Sequence, residues 1–316
     1  MKVLITGITG FCGKYLAAYV AGLGHQVYGF ARAGDVPSAA GLPADAELFR
    51  GDIQDDKDVA RCLGEAQPDA IFHLAALTVK APSPRDPWTY YSVNVNGTLN
   101  LLRALALSGR PAAVHIASSG AIYGAVTSPG QLLDEESPYA PASAYALSKL
   151  SQDLFAHQYA TCGPDIVRTR AFNIIGPGQS ERFLYSALTR QVAEIEAGQR
   201  EPVLRVGDWT VHHDLVDVRD AVRGYWLALT KGSAGAVYHV CAGRAWPVRE
   251  VLDTLLGFSP ARIRVEPDGE SPGTMEVSDQ AGSYARLHDG TGWQPEVPLA
   301  QSLRDMLEEW RGKVKA

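Results

Sequence analysis

The chain has 316 residues, 46% of them hydrophobic and 20% charged, enough to bury a full core and too apolar for a disordered or fibrous protein. Its 29 lysines and arginines stand against 35 acidic residues, and the net charge of −6 is spread without a basic block, so nucleic acid is a poor main partner. No run of about eighteen apolar residues occurs, and the N-terminal apolar stretch is too short for a signal segment, so a soluble cytoplasmic protein is expected, with no membrane partner. The four cysteines, Cys12, Cys62, Cys162 and Cys241, lie far apart, and the eight histidines include one adjacent pair, His212-His213. No metal site is expected, and the thiols are expected to be reduced.

In chain order, short apolar runs alternate with helical spacing, the pattern of successive βαβ units around a parallel sheet. Strands are predicted at Lys2–Thr6, Gln26–Ala31, Glu47–Arg50, Ala70–Leu74, Ala112–Ala117 and Ile166–Ala171. Helices are predicted between them at Cys12–Leu23, Lys57–Glu65, Thr89–Leu107 and Ser143–Cys162. The expected class is α/β, a doubly wound parallel sheet. After Ala171 the rhythm breaks at Gly176-Pro177-Gly178, and a helix-like Phe183–Ala197 opens a smaller C-terminal lobe. Ala236–Cys241 is expected to return to the main sheet, Pro267–Gly273 to be a loop, and the last helix to end near Trp310. The expected division is a dinucleotide-binding domain over 1–172, with 214–243 returning to it, and a substrate lobe over 173–213 and 244–316.

Gly7-Ile8-Thr9-Gly10-Phe11-Cys12-Gly13 follows the first strand and opens the first helix. Missing β-carbons there let a pyrophosphate approach backbone N–H groups and the positive helix end. The plain alternative is a tight strand-to-helix turn; the place of the motif, at the first strand–turn–helix of the chain, favours a dinucleotide. At the end of the second strand no carboxylate stands ready for the ribose hydroxyls, whereas Arg32 can pair with a 2′-phosphate. NADP(H) is therefore expected over NAD(H), the alternative being that Arg32 is a solvated loop side chain. Tyr145 and Lys149, four apart in a helical stretch, share one face. An ammonium group near a phenol makes a usable proton donor or acceptor near neutrality, although this spacing is also common in ordinary amphipathic helices.

The GxxGxxG spacing resembles that of the short-chain dehydrogenase/reductase superfamily. Gly51-Asp52-Ile53, His73-Leu74-Ala75-Ala76 and Asn94-Val95-Asn96-Gly97-Thr98 resemble its extended branch. That likeness implies a Rossmann fold and a cofactor site drawn from Gly7, Thr9, Gly10, Phe11, Cys12, Gly13, Arg32, Asp52, Ile53, Leu74, Ala75, Ala76, Asn94, Ala117, Tyr145, Lys149, Phe172 and Ile175. It also implies a catalytic triad of Ser119, Tyr145 and Lys149. Ser119 matches the family's serine or threonine that holds the substrate oxygen, and Lys149 would bind the nicotinamide ribose as well as poise the tyrosine. Sugar-nucleotide 4,6-dehydratases of this group carry an Asp-Glu pair where this chain has Gly120-Ala121. Elimination of water is therefore not expected, which leaves carbonyl reduction or oxidation–reduction epimerisation.

Arg168-Thr169-Arg170-Ala171-Phe172-Asn173-Ile174-Ile175-Gly176-Pro177-Gly178-Gln179-Ser180 resembles the nucleotide-sugar branch, in particular the GDP-4-keto-6-deoxy-mannose reductases. The likeness continues through Glu201–Gly207, Asp217–Asp220, Tyr238–Gly243 and Thr291–Pro295. It implies substrate contacts at Lys80, Ser119, Gly120, Tyr145 and Asn173, the last at the family's phosphate-contacting asparagine position. Two departures weaken the diphosphate clamp. His213 stands where those reductases usually have an arginine before the aspartate matching Asp214, and Gly273 stands at a second such arginine position. Arg182, Arg190 and Arg205 can form a relocated clamp or be surface arginines, and the histidine pair can be loop histidines. The expected function is NADP-dependent reduction of a nucleotide-activated 4-keto-6-deoxyhexose at C4. The alternatives are a nucleotide-sugar 4-epimerase, a reductase of a carbonyl compound lacking a nucleotide and, in another class, a non-catalytic NADP-binding sensor. The helices at Thr89–Leu107 and Ser143–Cys162 match the pair that relatives use for a four-helix dimer interface, so a homodimer is expected; the alternative is that they pack only on their own sheet.

Overall fold

The computed structural model describes residues 1–35, 41–78, 87–125, 131–161, 163–267 and 280–315. Lys80, Cys162, Gly273 and most of the loop expected at Pro267–Gly273 lie outside the described residues. The chain opens with β1 (Lys2–Thr6), α1 (Phe11–Gly22), β2 (Gln26–Ala31), β3 (Glu47–Arg50), α2 (Asp56–Ala66) and β4 (Ala70–His73). Next come α3 (Trp88–Tyr90), a π-helical turn at Tyr91–Asn96, α4 (Gly97–Ser108), β5 (Ala113–Ser119), a 3-10 turn at Gly120–Tyr123, β6 (Leu132–Leu133), α5 (Ala144–Ala160) and β7 (Ile166–Ala171). The second half holds β8 (Asn173–Ile175), α6 (Leu184–Glu196), β9 (Val203–Val206), β10 (His212–Asp217), α7 (Val218–Lys231), β11 (Val237–Val240) and β12 (Ala245–Pro247). It ends with α8 (Val248–Leu256), β13 (Arg264–Pro267), β14 (Ala281–Gly282), α9 (Ala285–Thr291) and α10 (Leu299–Lys315).

Seven strands form one parallel sheet in the order β3-β2-β1-β4-β5-β7-β11. Strands of such a sheet are covered on both faces, so they read as continuous apolar runs such as Val3-Leu4-Ile5. One face carries a core of Val3, Ile5, Leu16, Val20, Val222 and Trp226, under α1 and α7. The other carries Leu4, Ile71, Leu63, Leu101, Leu105 and Ala156, under α2, α4 and α5. The strand order reverses between β1 and β4, which opens a crevice beyond their carboxyl ends. A separate core of Leu188, Val192, Leu204, Leu215, Leu252, Leu303 and Met306 binds α6, α8 and α10 to the strands of the second half.

Local chemistry explains the helix starts. Asp55 caps α2 by accepting from Lys57 N at 2.8 Å, and Ser143 caps α5 by accepting from Ala146 N at 3.1 Å. At the start of α1, Gly10 offers no side-chain cap and the first turn holds no acidic residue. The N–H groups of that end, which a helix cannot satisfy internally, are left for a ligand.

The structure departs from the sequence expectations in three places. The stretch expected as one helix over Thr89–Leu107 holds a π-turn, where the side chain of Asn94 reaches out to Leu77 and Ser148 and Gly97 lies against Ile53. Of the segment 214–243, α7 covers the large sheet and β11 joins it, but residues 214–217 pair in a smaller sheet of order β12-β10-β8. Finally, α10 runs on past Trp310 to Lys315 because Arg311 pairs with Glu196 at 2.6 Å and Lys313 with Glu309 at 2.7 Å.

Candidate active site

The cofactor cradle is built by absence. Gly7 has φ +71°, and a β-carbon on it would lie 2.8 Å from Ala75 N, so β4 can run close beside the turn. At Gly13 a β-carbon would stand 2.3 Å from the Gly7 carbonyl oxygen, which seats α1 tightly on the turn. Thr9, Gly10, Phe11 and Cys12 line the uncapped helix end, with Leu74, Ala75 and Ala76 opposite at the end of β4. These residues fit a dinucleotide: an open set of N–H groups for the pyrophosphate, no negative charge in the first turn, and glycines where backbone must approach closely. Asp52 accepts from Gln54 N at 2.9 Å in the loop before α2, and Ile53 is buried against Gly97. Arg32 is largely exposed and pairs with Asp35 at 3.0 Å, while Thr9 Oγ1 donates to the same carboxylate at 3.4 Å.

Two residues expected at the cofactor act elsewhere. Asn94 is completely buried, and its carboxamide is consumed by Leu77 N at 2.7 Å, Leu77 O at 3.2 Å and Ser148 Oγ at 2.9 Å. It holds the chain after β4 and does not face the crevice. Ile175 is 2% exposed and belongs to the second-half core.

Ser119 ends β5, and its Oγ accepts from Ala121 N at 3.1 Å, which caps the 3-10 turn and fixes the hydroxyl at the sheet's carboxyl edge. The Tyr145 phenol faces that hydroxyl, close enough for it to act on the phenol's ionisation. Burial raises the Tyr145 pKa, opposed by the Ser119 hydroxyl, so the phenol stays protonated at neutral pH. Lys149 lies one turn further along α5, 3% exposed, and its ammonium donates to the carbonyl of Ala117 and to the side chain of Gln152. Burial pushes its pKa from 10.5 down to about 7, opposed by Asp153. Ser119 and Tyr145 thus come together, and Lys149 stands one turn along the same helix with its ammonium on the carbonyl of Ala117, two residues before Ser119.

The depressed pKa of Lys149 has a measurable sign. Between about 7 and 10.5 the unfolded chain holds a proton on this lysine that the folded chain does not, so folding stability from this group is gained as pH rises through that window. Lys149→Met lacks this titration. The melting stability of the wild type relative to that variant is therefore expected to increase from about pH 6 to about pH 10, with a slope approaching about 1.4 kcal/mol per pH unit inside the window. Melting curves of the two proteins across pH check it; a constant difference contradicts the buried charge.

Phe172 follows β7 and explains what Gly120 is for. A β-carbon on Gly120 would lie 3.1 Å from the Phe172 ring, and Phe172 also covers Gly282. A side chain at position 120 would have to push the Phe172 ring aside by a few tenths of an ångström, and neither Gly120 nor Ala121 can move a proton. Tyr145 is a proton donor beside the place where Ser119 would hold a carbonyl.

A buried charge cluster, unforeseen from the sequence, fixes this geometry. Asp153 is completely buried and pairs with Arg168 at 2.8 Å and Arg170 at 3.0 Å. Arg170, 1% exposed, also donates to Tyr123 Oη at 2.6 Å, Tyr139 Oη at 2.9 Å and Glu135 O at 2.8 Å. The cluster ties the helix of Tyr145 and Lys149 to the turn that follows Ser119. Its signal in the sequence was the carboxylate four residues after Lys149 and two arginines on one face of β7.

The expected phosphate clamp is not assembled. Arg190 is committed to Glu181 and to Glu194, the latter at 2.6 Å, because all three lie on or beside α6. His213 is not a loop residue: it sits in β10, 1% exposed, with Nδ1 2.8 Å from Tyr185 Oη. Arg182 and Arg205 are exposed. Asn173 donates to Asp214 O at 3.3 Å from the edge of β8. The Asp214 carboxylate accepts from Ala242 N at 2.6 Å, Gly243 N at 3.1 Å and Gly282 N at 3.1 Å, while burial pushes its pKa up to about 7. Among the described residues no group of three or more His, Cys, Asp or Glu is placed to hold a metal, and no helix is long and apolar enough to cross a membrane.

The sequence model of the GDP-mannose 4,6 dehydratase family matches residues 4–306. The GDP-6-deoxy-D-mannose reductase of Pseudomonas aeruginosa is 36% identical to the chain, covering 99% of it and 98% of that protein. The UDP-glucose 4-epimerase of Mycolicibacterium smegmatis is 30% identical, covering 99% of each. Among solved structures, RMD from Pseudomonas aeruginosa complexed with NADPH superposes with a TM-score of 0.84 at 34% identity, over 99% of this chain and 100% of that one. Thermus thermophilus UDP-glucose 4-epimerase complexed with NAD gives 0.86 at 29% identity, over 99% of each. With an uncapped dinucleotide-binding helix end and Ser119, Tyr145 and Lys149 gathered at the sheet edge, the chain belongs to the GDP-mannose 4,6-dehydratase family and is an NAD(P)-dependent oxidoreductase of the extended short-chain dehydrogenase/reductase type.

Proposed function

We propose that the chain reduces a nucleotide-activated 4-keto-6-deoxyhexose at C4, with NADP(H) as its cofactor. The bound nicotinamide supplies the hydride. Ser119 holds the carbonyl oxygen, Tyr145 gives that oxygen its proton, and Lys149 sets the electrostatics of the phenol from one turn away. The observation that carries this reading is the protonated phenol at Ser119 beside Gly120 and Ala121, two residues that cannot supply the proton transfers of an elimination. The 36% identical reductase of Pseudomonas aeruginosa supports the substrate class. Supplied with freshly generated GDP-4-keto-6-deoxy-mannose, the protein is expected to oxidise one NADPH per sugar reduced.

A 4-epimerase is the second reading, supported by the 30% identical epimerase. It would leave no net change in reduced cofactor. If no nucleotide diphosphate competes for the site, the unassembled clamp at Arg190 and His213 points to a carbonyl substrate without a nucleotide. A non-catalytic sensor is excluded by any turnover that depends on Tyr145.

The preference for NADP(H) rests on Arg32, which must exchange Asp35 for a 2′-phosphate. Arg32→Ala is expected to raise the KM for NADPH by about tenfold or more, the worth of one charge-assisted contact, and to leave that for NADH unchanged. Equal changes for the two cofactors would remove Arg32 from the specificity argument.

A homodimer is supported by Leu147, Leu154 and Phe155 on α5, which are 44%, 46% and 40% exposed, and by Leu107 on α4 at 76%. Leu147 and Leu154 lie two turns apart on one face. Sedimentation is expected to give twice the chain mass of 33.9 kDa, and Leu154→Glu to give the single chain. A monomeric wild type would contradict this.

A further inference from the structure

Gln152 stands three residues after Lys149 on α5, so the two side chains share a face. It is 1% exposed, its Oε1 accepts from the Lys149 ammonium, and its Nε2 lies 2.7 Å from Thr98 Oγ1. That hydroxyl meets two more groups, Asn94 O at 2.6 Å and His73 Nε2 at 2.9 Å. His73 Nδ1 lies 2.8 Å from Thr6 Oγ1, which is 3.2 Å from Ala75 N.

Counting donors and acceptors leaves one arrangement. A backbone carbonyl only accepts, so the single proton of Thr98 goes to Asn94 O. The Thr98 oxygen then accepts from both Gln152 Nε2 and His73 Nε2. Gln152 must turn its amino group to Thr98 and its oxygen to Lys149, whose ammonium only donates. His73 carries its proton on Nε2 and presents Nδ1 to the Thr6 hydroxyl, whose oxygen accepts from Ala75 N–H. Burial and the charge of Lys149 hold the His73 pKa down at about 3, so the ring stays neutral. The chain of bonds runs from Lys149 to the backbone packed against Gly7.

We propose that Gln152 is a positioning residue for Lys149, its amide locked through Thr98 and His73 so that an acceptor oxygen always faces the ammonium group. A flipped amide would set donors against a cation and release Lys149 from its place on the Ala117 carbonyl. The proposal rests on Tyr145 and Lys149 forming the acid pair. Asp153 on α5, with its partners Arg168 and Arg170 on β7, His73 on β4, His115 on β5 and Tyr145 one turn back on α5 are the other titratable or charged groups toward this lysine, and the Gln152 and Thr98 variants below leave all of them in place.

The test needs no substrate. The full chain, labelled with 13C at lysine Cε, is titrated by NMR, with the Lys149 signal assigned by its loss in Lys149→Met. Gln152→Leu, of similar size, is expected to lower the Lys149 midpoint by about one pH unit, the worth of one hydrogen bond to a charge. Gln152→Glu is expected to raise it by about as much, and Thr98→Val, which frees the amide to turn, to lower it. Midpoints for the Gln152 variants that coincide with the wild type within about 0.3 pH unit would overturn the proposal. If the midpoints move as expected while Tyr145→Phe leaves turnover intact, the positioning of Lys149 stands and the reading of the reaction fails.

Discussion

Tyr145→Phe is expected to lower turnover by about 10²–10⁴-fold, the usual contribution of a positioned proton donor, while NADPH binds as before. The phenol hydroxyl at Ser119 can protonate a substrate oxygen there, and burial keeps it in the protonated form that a reduction consumes. The ring itself packs edge-on to Tyr90 at a centroid distance of 6.2 Å, so phenylalanine retains the packing and loses only the proton. Steady-state assays with cofactor binding measured separately check this. A turnover near that of the wild type would assign the acid role elsewhere.

Asp153→Ala is expected to cost about 3–5 kcal/mol of folding stability, because removing one member of a buried ion cluster leaves the others charged and unpaired. Here two guanidinium groups lose their partner, Arg168 at 6% and Arg170 at 1% side-chain exposure. The consequence reaches the site, since Arg170 also donates to Tyr123 and to Glu135 O, which frame the turn after Ser119. Denaturant unfolding gives the loss directly. A cost below about 1 kcal/mol, the level of a surface pair, would show that the cluster does not hold the two halves of the site together.

The centre of the main sheet was legible because strands such as Lys2–Thr6 and Gln26–Ala31 are buried along most of their length and read as apolar runs. Lys2–Thr6, Gln26–Ala31, Glu47–Arg50 and Ile166–Ala171 have the same ends in the sequence and in the structure. The catalytic residues were legible because helix spacing puts Tyr145 and Lys149 on one face, and the resemblance supplied Ser119. The rest was hidden for a physical reason: a sequence displays side chains but not their partners. Arg190 was a free cation only until Glu181 and Glu194 came beside it. Asn94 read as a cofactor contact, yet a π-turn, which has no hydrophobic period of its own, aims it at Leu77 and Ser148. His213 is buried in β10, a strand of covered residues whose polar opening, His212-His213-Asp214, kept it from standing out. Gln152 carried a weak signal, a polar side chain one turn from the lysine, and only the donor count at Thr98 gives it a direction.

Net hydride transfer from NADPH to C4 of an activated keto sugar is tested most directly with GDP-4-keto-6-deoxy-mannose and NADPH deuterated at the transferred position, reading the product by mass and NMR. One deuterium at C4 is expected for each NADPH oxidised, at a rate about 10²–10⁴-fold lower with Tyr145→Phe. An unlabelled, epimerised sugar with the cofactor unconsumed, or a substrate left unchanged while NADPH binds tightly, would contradict the proposed reduction.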